Sequence, residues 1–199
     1  MKYSIIGSGD IGTALARLFI RQGIEVALAN SRGPASLASL TSELGPAVSA
    51  RTARDAADAE IVFLAVPFPV HRDVARLRDD WQGRIVVDAT NILDHPEEEV
   101  AGVVSSEVVA RAFAGAHVVK AFNHLPARQL GTNPPVGGQR QVVFVSSDDA
   151  DDSATVAALA AALGFAPVEL GNLARGGAAL HVVDGQPGGL LFQNLAKLG

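Results

Sequence analysis

The chain has 199 residues, 48% of them hydrophobic, and a formal net charge of −5; this allows one domain with a buried parallel sheet and gives no sign of a nucleic-acid surface. It has no cysteine, which excludes disulfides, thiolate chemistry and zinc–sulfur sites. The N-terminal apolar run is cut by Gly7 and Gly9 and is too short for a signal peptide or a membrane span, so a cytoplasmic chain with no membrane partner is expected.

The first predicted strand, Tyr3 to Ile6, runs into Gly7-Ser8-Gly9-Asp10-Ile11-Gly12. Ile11, Ala14, Leu15, Leu18 and Phe19 then recur at helical spacing, and Gly23 stops the helix. A G-x-G-x-x-G turn between a strand and a helix binds a dinucleotide pyrophosphate. Gly7 allows the sharp exit from the strand. Gly9 lets the backbone approach the phosphates, and Gly12 lets the helix lie close on the sheet. Free N–H groups where Ser8, Asp10 and Ile11 open the helix face the negative charge.

The second strand, Glu25 to Ala29, ends in Asn30-Ser31-Arg32. An NAD-selective site carries an acid at this point to bind the ribose 2′-OH. Asn30 cannot repel a 2′-phosphate as that acid would. Ser31 can donate its hydroxyl, and Arg32 can make a charge-assisted contact worth ~1.5–3 kcal/mol. The expected dinucleotide is therefore NADP(H).

Further elements alternate. Ser36 to Leu44 reads as a helix ended by Gly45-Pro46, and Val48 to Ala50 as a short strand. Glu60 to Val66 is an apolar central strand closed by Pro67. Pro69 to Asp80 reads as a helix, Arg84 to Asn91 as a strand, Ser105 to Ala114 as a helix and His117 to Phe122 as the sixth strand. The pattern predicts an α/β fold, a doubly wound parallel sheet of the Rossmann NAD(P)-binding kind, over residues 1–124. Residues 125–140 hold Pro126, Pro134, Pro135 and three glycines, which predicts a loop or lid. Gln141 to Val145 is a strand, Asp151 to Leu163 a helix with an acidic start, and Phe165 to Leu170 a short strand. Residues 125–199 thus form a small C-terminal α/β extension that completes the sheet. Its tail has Gly185, Gly188 and Gly189, then an apolar segment, Leu190 to Leu195, suited to cover the sheet or the partner of a homodimer.

Ligands of open α/β sheets sit outside the carboxyl ends of the strands. Ala65, Val66, Pro67, Phe68, Asn91, Asn123 and His124 stand at or just after such ends. The five histidines, His71, His95, His117, His124 and His181, show no metal-ligand spacing. Asp88 reads as a turn cap. Asp148, Asp149, Asp151 and Asp152 read as a solvated helix start.

The ordered set Gly7-Ser-Gly-Asp-Ile-Gly12, Asn30-Ser-Arg-Gly-Pro34, Leu64-Ala-Val-Pro67, Asp88-Ala-Thr-Asn91, Lys120-Ala-Phe-Asn123 and Ala166-Pro-Val-Glu-Leu-Gly171 resembles the NADP oxidoreductases that use the deazaflavin coenzyme F420. It also resembles the related cytoplasmic domain of STEAP ferric reductases. The resemblance covers nearly the whole chain. It implies a nicotinamide site beside Val66, Pro67 and Asn91, and a flavin-like partner (F420, FMN or FAD) near Asn123, His124 and the loop after Leu173. The F420 enzymes carry His at the position of Asn123, with His124 next to it here. Arg175 is a candidate for an anionic tail on the acceptor. Asn91, Asn123 and His124 would orient the rings, since hydride transfer between two cofactors asks little acid–base chemistry of the protein.

Two other readings stay open on the sequence. One is a non-catalytic NADPH-binding sensor or partner protein, because function does not follow from fold. The other is an NADPH-dependent reductase of a small carbonyl or imine, with His124 or Lys120 as proton donor.

Overall fold

Strands β1 (Tyr3–Ile6), β2 (Val26–Ala29), β3 (Val48–Ala50), β4 (Ile61–Leu64), β5 (Ile85–Asp88) and β6 (His117–Ala121) run parallel, and β7 (Val142–Ser147) and β8 (Ala166–Glu169) extend the sheet. The computed structural model describes residues 2–92, 104–132 and 140–180. The strand order is β3-β2-β1-β4-β5-β6-β7-β8. The order reverses between β1 and β4, the switch point at which ligands of doubly wound sheets bind. The parallel sheet is thus as expected, with one departure. β7 pairs antiparallel with β6, and β8 runs parallel to β7.

Side-chain alternation assigns the two faces. Ile5, Phe63, Val87 and Val119 lie in one row of the register. They pack under helices α1 (Asp10–Arg21), α2 (Ala38–Leu44), α6 (Ala127–Thr132) and α7 (Ala150–Ala162). Val62, Val86 and Val118 point the other way, toward α3 (Ala53–Ala56), α4 (His71–Ala75) and α5 (Ser105–Ala112). Aromatic rings brace the first face. Phe63 meets Phe19 at 5.5 Å and Phe122 at 5.7 Å between centroids.

Three sequence expectations need correction. The helix expected over Pro69 to Asp80 is a 3₁₀ turn, Phe68–Val70, followed by the short α4. Trp81 ends it: the indole N–H donates to Ala75 O at 2.8 Å, and the ring packs on Phe113. The stretch expected as loop contains α6. Pro126 can stand at a helix start because no N–H is needed there. Gly131 faces helix α1, where a Cβ would lie 3.4 Å from the Ala14 methyl carbon. Finally, Leu173–Gly177 is a π-helical turn that composition did not reveal. The glycine-rich tail, the apolar segment Leu190 to Leu195, His95 and His181 lie outside the described residues.

Beneath the carboxyl edge of the sheet is a fully buried ion pair. Register places Asp88 beside Lys120. The Lys120 ammonium donates to Asp88 Oδ2 at 3.0 Å and to Thr90 O at 2.6 Å. Asp88 Oδ1 accepts from Thr90 N and Oγ1, so the expected turn cap is present. Every strong polar group here has a partner, which makes burial tolerable. We expect Lys120→Met to lose about 3–5 kcal/mol of stability by stranding a buried carboxylate. Adding Asp88→Asn should restore part of it. Urea midpoints of both variants test this, and a Lys120→Met protein as stable as wild type would contradict it.

Candidate active site

The glycine turn lines a cleft of about 680 Å³ together with Asn30 to Gly33 and Ala65 to Pro67. Its three glycines differ in role. Gly7 has φ +118°, and a Cβ on it would sit 1.9 Å from Ala65 O. A Cβ on Gly12 would sit 1.9 Å from Gly7 O. These two residues let three backbone segments meet. Gly9 has open space around its missing Cβ. It caps helix α1 without a side-chain acceptor, so the first-turn N–H groups stay available to an anion. Ser8 is half-buried and Asp10 exposed, and Ile11 is partly covered at the helix start.

Asn30 acts as a strut. It is buried, and its amide donates to Ser8 Oγ and Ser36 Oγ, both at 3.0 Å. Its carbonyl accepts from Arg32 N at 3.0 Å. A carboxylate could accept from Arg32 N but could not donate to Ser8. The amide therefore ties the glycine turn to the loop after β2 and presents Ser31 and Arg32 exposed at the cleft mouth. The sequence reading missed the other wall. Thr52, Ala53, Val70, Val74 and Leu77 line the same cleft. Val70, Val74 and Leu77 are spaced i, i+4, i+7, a stripe that sequence alone assigns to the core.

Along the same edge, Asn91 and Asn123 come together. Asn91 Nδ2 donates to Asn123 O at 2.7 Å, and Asn123 Nδ2 donates to Asn91 Oδ1 at 2.8 Å. Phe122 precedes them with φ +65°, a conformation that is uncommon outside glycine. Its buried ring, packed near Phe63 and Phe165, holds the chain in that turn. Asn123 Nδ2 also donates to Leu180 O at 2.7 Å. Asn123 Oδ1 is buried and has no partner among the described residues, so it is an acceptor in want of a donor.

The remaining candidates lie elsewhere. Phe68 is 2% exposed, packed on His71 in the second core, and is not offered to the edge. Leu173 is buried in the core that also holds Val118 and Phe113, and its N–H donates to Asp148 Oδ1. Because β7 and β8 run backward, their carboxyl ends lie at the opposite edge of the sheet, and Leu173 with them. The π-helical turn, with Arg175 exposed on it, brings the chain back to Leu180. That residue, rather than Leu173, reaches Asn123. His124 is turned inward. Its Nε2 pairs with Val142 O at 3.3 Å and its ring lies on Phe144 at 5.2 Å. Burial pushes its pKa below the usual histidine value, partly opposed by the bond to Val142. At the far edge Asp149 caps α7, accepting from Asp151 N and Asp152 N, and His117 pairs with Asp152. Asp149, Asp151 and Asp152 thus stand at the helix start, whereas Asp148 accepts from Leu173 N instead.

The family model described as NADP oxidoreductase coenzyme F420-dependent matches residues 2–92. Metalloreductase STEAP3 of Rattus norvegicus is 32% identical over 173 residues, which are 87% of this chain and 34% of that protein. The chain thus spans about a third of the length of the curated relatives it matches. The solved structure of hypothetical protein SMa0349 from Sinorhizobium meliloti superposes with TM-score 0.89 at 43% identity, covering 98% of this chain and 96% of that one. A putative F420-dependent NADP-reductase from Arthrobacter sp. FB24 superposes with TM-score 0.71 at 29% identity, covering 90% and 89%. The fold and the glycine-turn cleft are those of a dinucleotide-dependent oxidoreductase. Over residues 2–92 the chain is similar to the family of coenzyme F420-dependent NADP oxidoreductases. No helix among the described residues is long and apolar enough to cross a membrane.

Neutral His124 makes stability depend on pH. A histidine pKa that is lowered in the fold means the unfolded chain binds the extra proton first. Its contribution is fully present above the unfolded value of about 6.5 and is lost as pH falls toward the lowered folded value. We expect wild type to lose more stability than His124→Gln between pH 7.5 and pH 5. Equal losses in urea melts at the two pH values would contradict this.

Proposed function

We propose that this protein passes hydride between NADP(H) and a deazaflavin of the coenzyme F420 type or a flavin. NADPH, when bound, supplies a hydride from its nicotinamide carbon. The chain's own part is to bind, orient and shield. The first turn of α1 and the open face of Gly9 suit a pyrophosphate. Ser31 and Arg32, held by Asn30, suit a 2′-phosphate. Val70, Val74 and Leu77 offer an apolar wall of the kind a flat base needs. Asn91 and Asn123 stand where the nicotinamide and its partner would meet, and the unpartnered Asn123 Oδ1 suits an N–H donor on a ring substituent.

One observation carries the hydride reading. The titratable side chains at the carboxyl ends of β5 and β6, Asp88, Lys120 and His124, are buried and turned into the protein. Asp88 and Lys120 hold Thr90, and His124 holds Val142. Reduction of a carbonyl or imine asks for a proton donor at the reacting atom, and neither Lys120 nor His124 is presented as one. Transfer between two cofactor rings asks for orientation alone. The test is purified protein with NADPH and a panel of F420, FMN, FAD, ferric chelate and small carbonyls. We expect oxidation of NADPH by a flavin-type acceptor. Tight NADPH binding with no oxidation by any flavin-type acceptor would overturn the proposal.

Two substitutions separate the parts of the dinucleotide site. Gly9→Val fills open space without touching the protein, so it should abolish both NADPH and NADH binding while the fold persists. Arg32→Ala should weaken NADPH roughly tenfold to hundredfold and leave NADH nearly unchanged. Titration calorimetry with circular dichroism checks both. Equal weakening of the two cofactors by Arg32→Ala would contradict the 2′-phosphate assignment.

A further inference from the structure

Helix α4 has a second side. Away from the dinucleotide cleft, it and helix α5 enclose a groove of about 630 Å³. Four of the chain's thirteen arginines, Arg72, Arg76, Arg78 and Arg111, line it against a single carboxylate, Asp79. Its floor is Ala75, Val108 and Ala112, whose short side chains leave the space open. The whole chain has net charge −5, so this concentration of guanidinium runs against the overall balance.

The groove also contains a buried polar group that needs a partner. His71 lines it and is 1% exposed. Its Nδ1 donates to Phe68 O, which leaves Nε2 an acceptor in that tautomer, without a partner among the described residues; it suits a hydroxyl of the ligand, and the arginines suit its charged oxygens. Buried side-chain nitrogens are almost always satisfied. The groove arginines already have neighbours. Arg76 pairs with Asp73 at 3.0 Å, and Arg78 with Asp58 and the carbonyl of Asp80. The Arg76–Asp73 pair is exposed and of a weak kind, so a multiply charged ligand can compete for that guanidinium group.

We propose that this groove is a second ligand site, for a small, multiply charged oxyanion such as a phosphorylated or polycarboxylate compound. Planar guanidinium forks match phosphate and carboxylate oxygens in pairs. Several forks on two helices give a site that a single charge would not fill. The site is separate from the dinucleotide cleft, because the chain of α4 divides them: Val70, Val74 and Leu77 face the cleft, and Arg72, Ala75 and Arg76 face the groove. The proposal does not depend on the identity of the hydride acceptor.

The probe is inorganic tripolyphosphate, titrated into the intact protein saturated with NADPH so that the helix α1 site is filled. We expect one binding event per chain. Arg72→Gln combined with Arg111→Gln should weaken it by at least about tenfold, the loss of one or two charge-assisted hydrogen bonds. NADPH affinity and the melting temperature should stay at wild-type values, since both arginines are exposed. The Gly9→Val protein, with its dinucleotide site blocked, should bind the probe as wild type does. Adding F420 to the same titration identifies the natural source. Displacement of tripolyphosphate assigns the groove to the acidic tail of the acceptor, and no displacement assigns it to a separate phosphorylated ligand. No binding to the NADPH-saturated protein, or equal binding by wild type and the double variant, would overturn the proposal.

Discussion

Strand β1, helix α1 and the loop after β4 meet where there is no room for a methyl group. A Cβ on Gly12 would overlap Gly7 O, and a Cβ on Gly7 would overlap Ala65 O, each at 1.9 Å. The packing of α1 on the sheet depends on these two contacts. So does the direction in which its free N–H groups face, and so does the floor of the cleft between β1 and β4. Gly9, one turn away, has empty space in place of its Cβ. The first and third glycines of the motif shape the protein, and the second leaves room for a ligand.

From that point polar groups fix the rest of the edge. Asn30 ties the glycine turn to the loop carrying Arg32. Register sets Asp88 beside Lys120, and together they clamp Thr90, the residue before Asn91. Asn91 clamps Asn123 in turn, and Leu180 closes on Asn123 from the C-terminal part. A chain of backbone and side-chain hydrogen bonds thus runs along the strand ends, with few groups free to exchange protons. Rigid positioning with little acid–base chemistry is what hydride transfer between rings requires.

The sheet, its winding and the glycine turn were legible in the sequence because they rest on local signals: apolar runs, helical spacing and a motif between a strand and a helix. What the sequence hid depends on tertiary direction. Reversal of β7 and β8 carries Leu173 to the opposite edge, and no local pattern reports strand direction. His124 follows a strand end, as the reading required, yet its ring turns inward to Val142 and Phe144. Pro126 and the nearby glycines read as loop, but Gly131 is there to admit Ala14 of helix α1. Asn30 was legible as the absence of an acid; its role as a donor to Ser8 needed coordinates.

The central claim is direct hydride passage between NADP(H) and a flavin-type ring on this scaffold. The most direct test uses NADPH carrying deuterium at the nicotinamide C4, each face labelled in turn, with F420 as acceptor. Mass spectrometry and NMR of the reduced acceptor locate the label. The account predicts that label from one of the two faces arrives on the ring carbon of the acceptor. Oxidised NADPH with no label in the acceptor from either face, or with the deuterium released to water, would contradict it.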